Sequence, residues 1–324
     1  MLENYTEIQK YLFDVYYQNF ENYSDVTSSH WRKIGKHKVK TTESGLQLIG
    51  SGFGNKVKNN FFRKLYYFPE FTMINWLLKK YLVNREHVSY GKAISKLQNT
   101  MFNYDCVRQI LSVDYLIRNI DYASLSTRNN NINISNSLSK IAIIGDGYGY
   151  TACLLKKIFP NTLIVSINIG RTLLFDVFYT RKVFPDSDVS LVSDNNDINI
   201  ALDSGLDFLF IEAENYDLLN DIDIDLYINI ASMQEMNLFV INKYIEYMRN
   251  CKGAQPYFYC CNREEKKLPD SELVRYKDYG WNQNDEIFFD ELCPWYQKYP
   301  YPIPPFWRKF DGPIRHRLTR LAKE

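Results

Sequence analysis

Charge of one sign is missing from this sequence. Its 39 Lys and Arg are balanced by 38 Asp and Glu, leaving a formal net charge of +1. The chain as a whole therefore has no electrostatic draw toward nucleic acid or an anionic membrane. Histidine is scarce, at positions 30, 37, 87 and 316, and no two stand at a metal-ligand spacing. The cysteines, at 106, 153, 251, 260, 261 and 293, form no C-x-x-C pair. These spacings argue against a structural zinc site, and no resident metal is expected. No apolar run reaches the roughly 18 residues of a transmembrane helix, so no membrane span is expected. The opening "MLENYTEIQK" has no basic end followed by an apolar core. No signal peptide is expected from it, and a cytoplasmic protein with reduced thiols is the working expectation.

What is abundant is aromatic: 26 Tyr and 20 Phe in 324 residues. An AT-rich coding bias accounts for this plainly. Platforms for a sugar ring or a base account for it functionally. The length suits one large domain or two ordinary ones.

Residues 1–123 read as mostly helical. In "YTEIQKYLFDVYYQNF", Ile8, Tyr11, Leu12 and Val15 fall on one helical face. Further helices are expected near 70–82 and 104–120, and the Gly- and Ser-containing stretch 44–56 reads as a loop between them. The polar "SLSTRNNNINISNSLSK" (124–140) marks the clearest boundary, and the linker is placed at 124–139. From 140 to 324 the pattern alternates strand and helix. Strands are expected at 140–145, 161–169, 206–214, 225–232 and 255–262, with helices at 150–159, 172–184 and 236–250. This is the pattern of an α/β, doubly wound, mainly parallel Rossmann-like sheet. Residues 263–324 read as less regular. Prolines 294, 300, 302, 304 and 305 deny a continuous helix or central strand, so 293–307 reads as an ordered aromatic loop.

The stretch "IAIIGDGYGY" (141–150) ends the first expected strand. In an open parallel sheet, ligands bind beyond the carboxyl ends of the strands. Gly145 and Gly147 match the first two glycines of the dinucleotide fingerprint G-x-G-x-x-G, but Tyr150 stands where its third would be. No G-K-[ST] follows either. The G-x-G-x-G that remains suits a nucleoside ligand with no pyrophosphate, of which S-adenosylmethionine is one. Asn168 ends the second strand, where an acidic residue usually holds a ribose; its amide is still able to hydrogen-bond a diol.

These residues resemble the sugar O-methyltransferase family, a branch of the class I S-adenosylmethionine-dependent methyltransferases. The resemblance rests on "IIGDGYGYTACLLKKIFP" (143–160), "INIASMQEM" (228–236), "YCCNREEKKLPD" (259–270), "FDELCPW" (289–295) and "FDGPIRHRL" (310–318). It covers roughly the last 180 residues. Two positions depart from the family pattern: Ile143 stands where an acid is usual, and so does Asn168. The resemblance implies a methyltransferase domain over 140–324 and a helical N-terminal domain with a lid, acceptor or oligomerisation role. It implies S-adenosylmethionine as cofactor, held by Gly145, Asp146, Gly147, Tyr148, Gly149, Asn168, Ile169, Glu212, Ala213 and Ser232. The acceptor it implies is a sugar, nucleotide-sugar or glycan precursor, contacted by Gln234, Asn262, Arg263 and Arg315.

Methyl transfer to a sugar hydroxyl is helped by a general base. Glu235, just past the fourth strand, and His316, the one histidine in the second half, are the candidates. Each also has a plain structural reading, Glu235 as a helix-opening acid and His316 as one more basic residue of the tail. Arg308, Lys309, Arg315, Arg317, Arg320 and Lys323 form either a phosphate-binding cluster or a solvated face, and 30–40 is read the same way. Two alternatives stay open: a non-enzymatic or weakly active binding protein of the same fold, and a nicotinamide-dependent oxidoreductase.

Overall fold

The computed structural model describes residues 1–18, 38–42, 45–49, 61–126 and 138–323. Eight strands form one sheet. In chain order they are β1 (Lys140–Ile144), β2 (Leu163–Asn168), β3 (Val189–Val192), β4 (Phe208–Glu212), β5 (Leu226–Ile230), β6 (Tyr257–Arg263), β7 (Glu286–Leu292) and β8 (Ile314–Arg320). Their spatial order is β7-β8-β6-β5-β1-β2-β4-β3. The six strands from β3 to β6 are parallel. β8 alone runs the other way, between β6 and β7. The central strands are largely apolar because both their faces are covered. In β1, Ile141 and Ile143 enter one apolar cluster, while Ala142 and Ile144 enter the one on the opposite face.

The first face is covered by α1 (Tyr5–Phe13), α2 (Phe61–Tyr81), α3 (Arg85–Gln98), α4 (Tyr104–Ser126), α5 (Tyr150–Ile158) and α6 (Gly170–Val183). The second is covered by α7 (Asn195–Asp203), α8 (Leu238–Asn250) and the segment around Leu268–Tyr279. Ile8 and Leu12 of α1, Leu77 of α2 and Val107 of α4 lie in the same cluster as Ile141 of β1. The N-terminal helices are thus a layer on the sheet. Of the boundary stretch 124–139, residues 127–137 lie outside the described residues.

The Rossmann-like architecture expected from the alternating pattern is present. Three expectations about its parts need correction. The strand expected at 206–214 is the fourth in the chain, because "VSLV" forms an edge strand before it. Residues 263–324 are more regular than expected, since β7 and β8 lie there. In β8, Ile314, His316 and Leu318 are buried while Arg315 and Arg317 are only partly covered, an alternation masked in sequence by its basic residues. Finally, 45–49 within the expected loop 44–56 pairs with 38–42 as a hairpin. The proline-rich 293–307 does lack a long element; its ends form a turn at Pro294–Tyr296 and part of a small ladder, Lys298–Pro300 with Trp307–Lys309.

Candidate functional site

β1 ends at Ile144, and the chain turns away from the sheet through three glycines in the left-handed region, with φ of 75° at Gly145, 82° at Gly147 and 60° at Gly149. A Cβ on Gly145 would collide with the side chain of Ser232 from the end of β5. At Gly147 nothing lies within 4 Å of such a Cβ, so the backbone there borders open space. Ser232 is held in place by Ala231, a non-glycine residue at φ 62° whose N–H donates to Cys261 O at 2.8 Å. Strain of this kind gathers at functional sites. Ser232 Oγ also accepts from Asn229 Nδ2 at 3.1 Å and donates to Ile144 O at 3.3 Å.

Amides where the loop passes into α5 are already engaged. Thr151 and Ala152, in the first turn of α5, donate to the two oxygens of Asp146 at 3.0 and 2.8 Å. Gly149 N–H donates to Asp176 Oδ1 at 3.0 Å, and Asn168 Nδ2 donates to Asp176 Oδ2 at 2.9 Å. Burial raises both carboxyls above their usual range, and at Asp176 the charge of Asp146 adds to the rise. A helix N-terminus of this kind ordinarily offers free N–H groups to a phosphate. Here two aspartates hold three of them, those of Gly149, Thr151 and Ala152.

Beside the loop lies a cavity of about 510 Å³, its open mouth included, lined by Ile144, Gly145, Gly147, Ile167, Asn168, Ile169, Thr172, Ala213, Ser232, Met236, Val240 and Tyr244. Of the ten expected cofactor residues it gathers six: Gly145, Gly147, Asn168, Ile169, Ala213 and Ser232. Met236, Val240 and Tyr244 were missed. They recur every four residues along one face leading into α8, a signal easily read as core alone. Asp146 lies behind the loop as a cap, Tyr148 stacks on Phe175 with centroids 5.6 Å apart, and Gly149 caps α5. Glu212 is Asn168's register partner on β4. Its carboxylate accepts from Tyr11 Oη at 3.2 Å and from Tyr16 Oη. Burial raises its pKa. The ring of Tyr16 also fills the space over Gly170.

The expected acceptor contacts lie elsewhere. Asn262 and Gln234 are buried braces: Asn262 Oδ1 accepts from Gln234 N–H at 3.0 Å, and Gln234 Oε1 accepts from Arg263 N–H at 2.9 Å. Asn262 Nδ2 donates to Asn229 Oδ1 at 2.8 Å, and Asn229 Nδ2 reaches Ile144 O at 2.8 Å. These amides tie the ends of β1, β5 and β6 together. Arg263 donates to Asp311 O at 2.7 Å. Arg315 pairs with Glu264 at 2.9 Å and with Asp290 at 2.8 Å. None of these four lines the glycine-loop cavity.

The two candidate bases also part company. Glu235 precedes the cavity residue Met236 and pairs with Lys266 Nζ at 2.9 Å. His316 is not brought to the cavity. It is 0 % exposed in the middle of β8, stacked on Tyr115 at 5.3 Å and enclosed by Phe289 and Trp295. Tyr259 Oη lies 3.2 Å from its Nδ1, and Glu291 lies 3.4 Å from its Nε2. Burial pushes its pKa down to about 4, so the ring is neutral at physiological pH.

Most of the basic tail is engaged within the fold. Arg317 pairs with Asp290, Arg320 with Glu286 at 2.8 Å, Lys323 donates to Cys251 O, and Arg308 lies 3.4 Å over the Tyr301 ring. Of the second basic run, 30–37 lies outside the described residues.

No family model and no curated protein matches the sequence. Among solved structures, the chain is similar to magnesium protoporphyrin IX methyltransferase from Synechocystis PCC 6803, with 8% identity over 76% of this chain and 97% of that one, and a TM-score of 0.39. It is similar also to a SAM-dependent methyltransferase from Leishmania major, with 11% identity, coverage of 76% and 90%, and a TM-score of 0.35. A third is the mitomycin 7-O-methyltransferase MmcR, with 7% identity, coverage of 79% and 68%, and a TM-score of 0.34. Likeness at this level transfers no residue's role, so function is argued from the site itself.

Proposed function

We propose that this chain binds S-adenosylmethionine in the glycine-loop cavity and methylates a hydroxyl group of a sugar or sugar-containing precursor. The observation that carries the reading is the occupation of three amides at the start of α5, those of Gly149, Thr151 and Ala152, by Asp146 and Asp176. A pyrophosphate needs those N–H groups free and would approach two carboxyl groups instead. A phosphate-free, cationic nucleoside meets neither obstacle, and it fits a cavity whose lining is largely apolar. The nicotinamide alternative is disfavoured on the same ground.

When bound, S-adenosylmethionine supplies a methyl group on a positively charged sulfur. The chain's own part is to hold and to orient. Gly145 and Gly147 keep side chains out of the space beside the backbone, and Ser232 closes it from β5. Asn168, Ile169 and Ala213 would hold the nucleoside from the neighbouring strand ends. Glu235 is the better-placed proton acceptor of the two candidates, because Met236 beside it reaches the cavity and His316 is sealed in the core.

A non-catalytic binding role is the second reading, and a specific observation favours it. Asn168 is committed to Asp176 and to Ile169 N–H, and Glu212 to two tyrosines, so neither strand end presents a free carboxylate.

Titration with S-adenosylhomocysteine, NADH and NADPH separates the readings. The proposal expects S-adenosylhomocysteine to bind and raise the melting temperature while the nicotinamides do neither. Stabilisation by a nicotinamide alone would overturn it. Binding of S-adenosylhomocysteine without methyl transfer to any glycoside tested would leave the binding role. In an active enzyme, Glu235→Gln should lower turnover at least tenfold with S-adenosylhomocysteine affinity unchanged.

A further inference from the structure

A cleft that shares no residue with the glycine-loop cavity opens between α2 and the aromatic segment 293–309. Met73, Trp76 and Leu77 of α2 form one side, and Trp295, Lys298 and Trp307 of the segment form the other. Trp307 joins the two elements: its Nε1 donates to Pro69 O at 3.2 Å, and its ring lies 5.5 Å from that of Trp76. Tyr104 of α4, Pro294 and Gln297 complete the wall. Most of the wall's polar atoms are engaged within the fold. Trp295 Nε1 donates to Ser112 Oγ at 2.9 Å, and Tyr104 Oη donates to Trp295 O at 2.8 Å. Gln297 Nε2 donates to Cys293 O at 2.7 Å and Ile314 O at 3.0 Å, which fixes its amide, since a carbonyl accepts only from a donor. Three side-chain nitrogen or oxygen atoms of the wall make no hydrogen bond among the described residues: the donors Trp76 Nε1 and Lys298 Nζ, and the acceptor Gln297 Oε1. What else faces the cleft is apolar, and much of it is aromatic ring.

The chain as a whole is balanced in charge, and this part of it is not. Residues 66–81 and 293–309 hold Lys79, Lys80, Lys298, Arg308 and Lys309 against one acid, Glu70. Glu70 Oε1 accepts from Tyr104 N–H at 2.8 Å, and Asp105 beside Tyr104 is paired with Arg108. None of the five bases makes an ion pair among the described residues. Lys80 Nζ lies 5.0 Å over the Trp76 ring, which keeps a cation at that side of the cleft. On the other side, the small ladder sets Lys298 directly opposite Lys309. Like charges so opposed repel, and an anion held beside them relieves the repulsion. An apolar cleft edged by unpaired cations is complementary to an apolar body that carries a negative charge. A neutral ligand would leave the opposed lysines as they are, and a cationic one would add to them.

We infer that this cleft binds an aromatic acid, its ring against Trp76 and Trp307 and its carboxylate at Lys298. The indole rings of the wall offer the flat faces and edges that another aromatic ring packs against. The site stands apart from the glycine loop, so its occupancy does not depend on a methyl donor.

Ligand-observed NMR titration with three indoles of similar size tests this: indole-3-acetate is an anion, tryptophol is neutral and tryptamine is a cation. Wild type is expected to bind indole-3-acetate about threefold or more tighter than tryptophol, with tryptamine weakest, and the preference should shrink as salt is raised. Lys298→Gln should weaken indole-3-acetate by about threefold and leave tryptophol unchanged. Trp76→Ala should weaken both by about fivefold or more. Trp76 is 43 % exposed and Lys298 is exposed, so neither substitution opens the core, and an unchanged melting midpoint checks that. The inference is overturned if indole-3-acetate does not bind, if tryptophol or tryptamine binds as tightly, or if either variant holds indole-3-acetate as wild type does. It is also overturned if sedimentation shows a dimer that Trp76→Ala takes apart, because a second copy of the chain would then fill the cleft.

Discussion

His316 shows how burial changes what a residue is able to do. Its sequence context, among arginines near the C-terminus, suggests a solvent-facing base. In the fold it sits between Tyr115, Phe289 and Trp295, with Glu291, Asp290 and Arg315 as its charged neighbours. Burial holds its pKa at about 4 against an ordinary 6.5. Between those values the unfolded chain takes up a proton that the folded one refuses. Stability therefore falls as the pH drops from 6.5 toward 4, by about 3 kcal/mol from this residue. His316→Phe should remove that part of the acid sensitivity. Urea unfolding of both proteins across this range tests it: the two stability curves should diverge, with the variant gaining on wild type as the pH falls. Parallel curves would show that His316 titrates normally.

At the level of elements, the glycine loop joins backbone geometry to the cavity. Gly145 and Gly147 share the left-handed φ, and only Gly145 has a neighbour against it. Gly147→Ala should cost about 1 kcal/mol, the strain of the backbone region alone. Gly145→Ala adds a collision with Ser232 and should cost at least twice as much, with part of the loss recovered by Ser232→Gly. Chemical denaturation of the three proteins checks this, and equal losses at the two glycines would refute the packing argument. The loop and the five inner strands were legible in the sequence because covered parallel strands are largely apolar runs, and the first of them ends at a glycine. β3 escaped notice because four residues at a sheet edge make too short a run. β8 escaped because its buried positions alternate with arginine. The turn at Ala231 was not legible at all, because it depends on a backbone angle.

For the molecule as a whole, the question is whether the N-terminal helices are a separate unit. Their apolar faces are not closed on one another. Leu12 and Ile8 of α1 are fully buried in the cluster that includes Leu173 of α6, Ile143 of β1 and Phe210 of β4. Tyr11 and Tyr16 bind Glu212 at the end of β4, Arg171 Nε donates to Tyr16 O at 3.1 Å, and Leu2 pairs with Leu191 of β3. An assembly with one continuous core should unfold in one step. Leu12→Ala removes a buried side chain from it and should destabilise the whole protein by about 2–5 kcal/mol. Far-ultraviolet circular dichroism, which follows helices and sheet together, and tryptophan fluorescence, weighted to Trp76, Trp281, Trp295 and Trp307, should then report the same shifted midpoint. If α1 belonged to an independent unit, the substitution would leave most of the transition in place and split off a small early step. Coincident midpoints would instead mean that α1 stabilises the strand ends at which the cavity opens, so that a change in α1 reaches the glycine loop through packing alone.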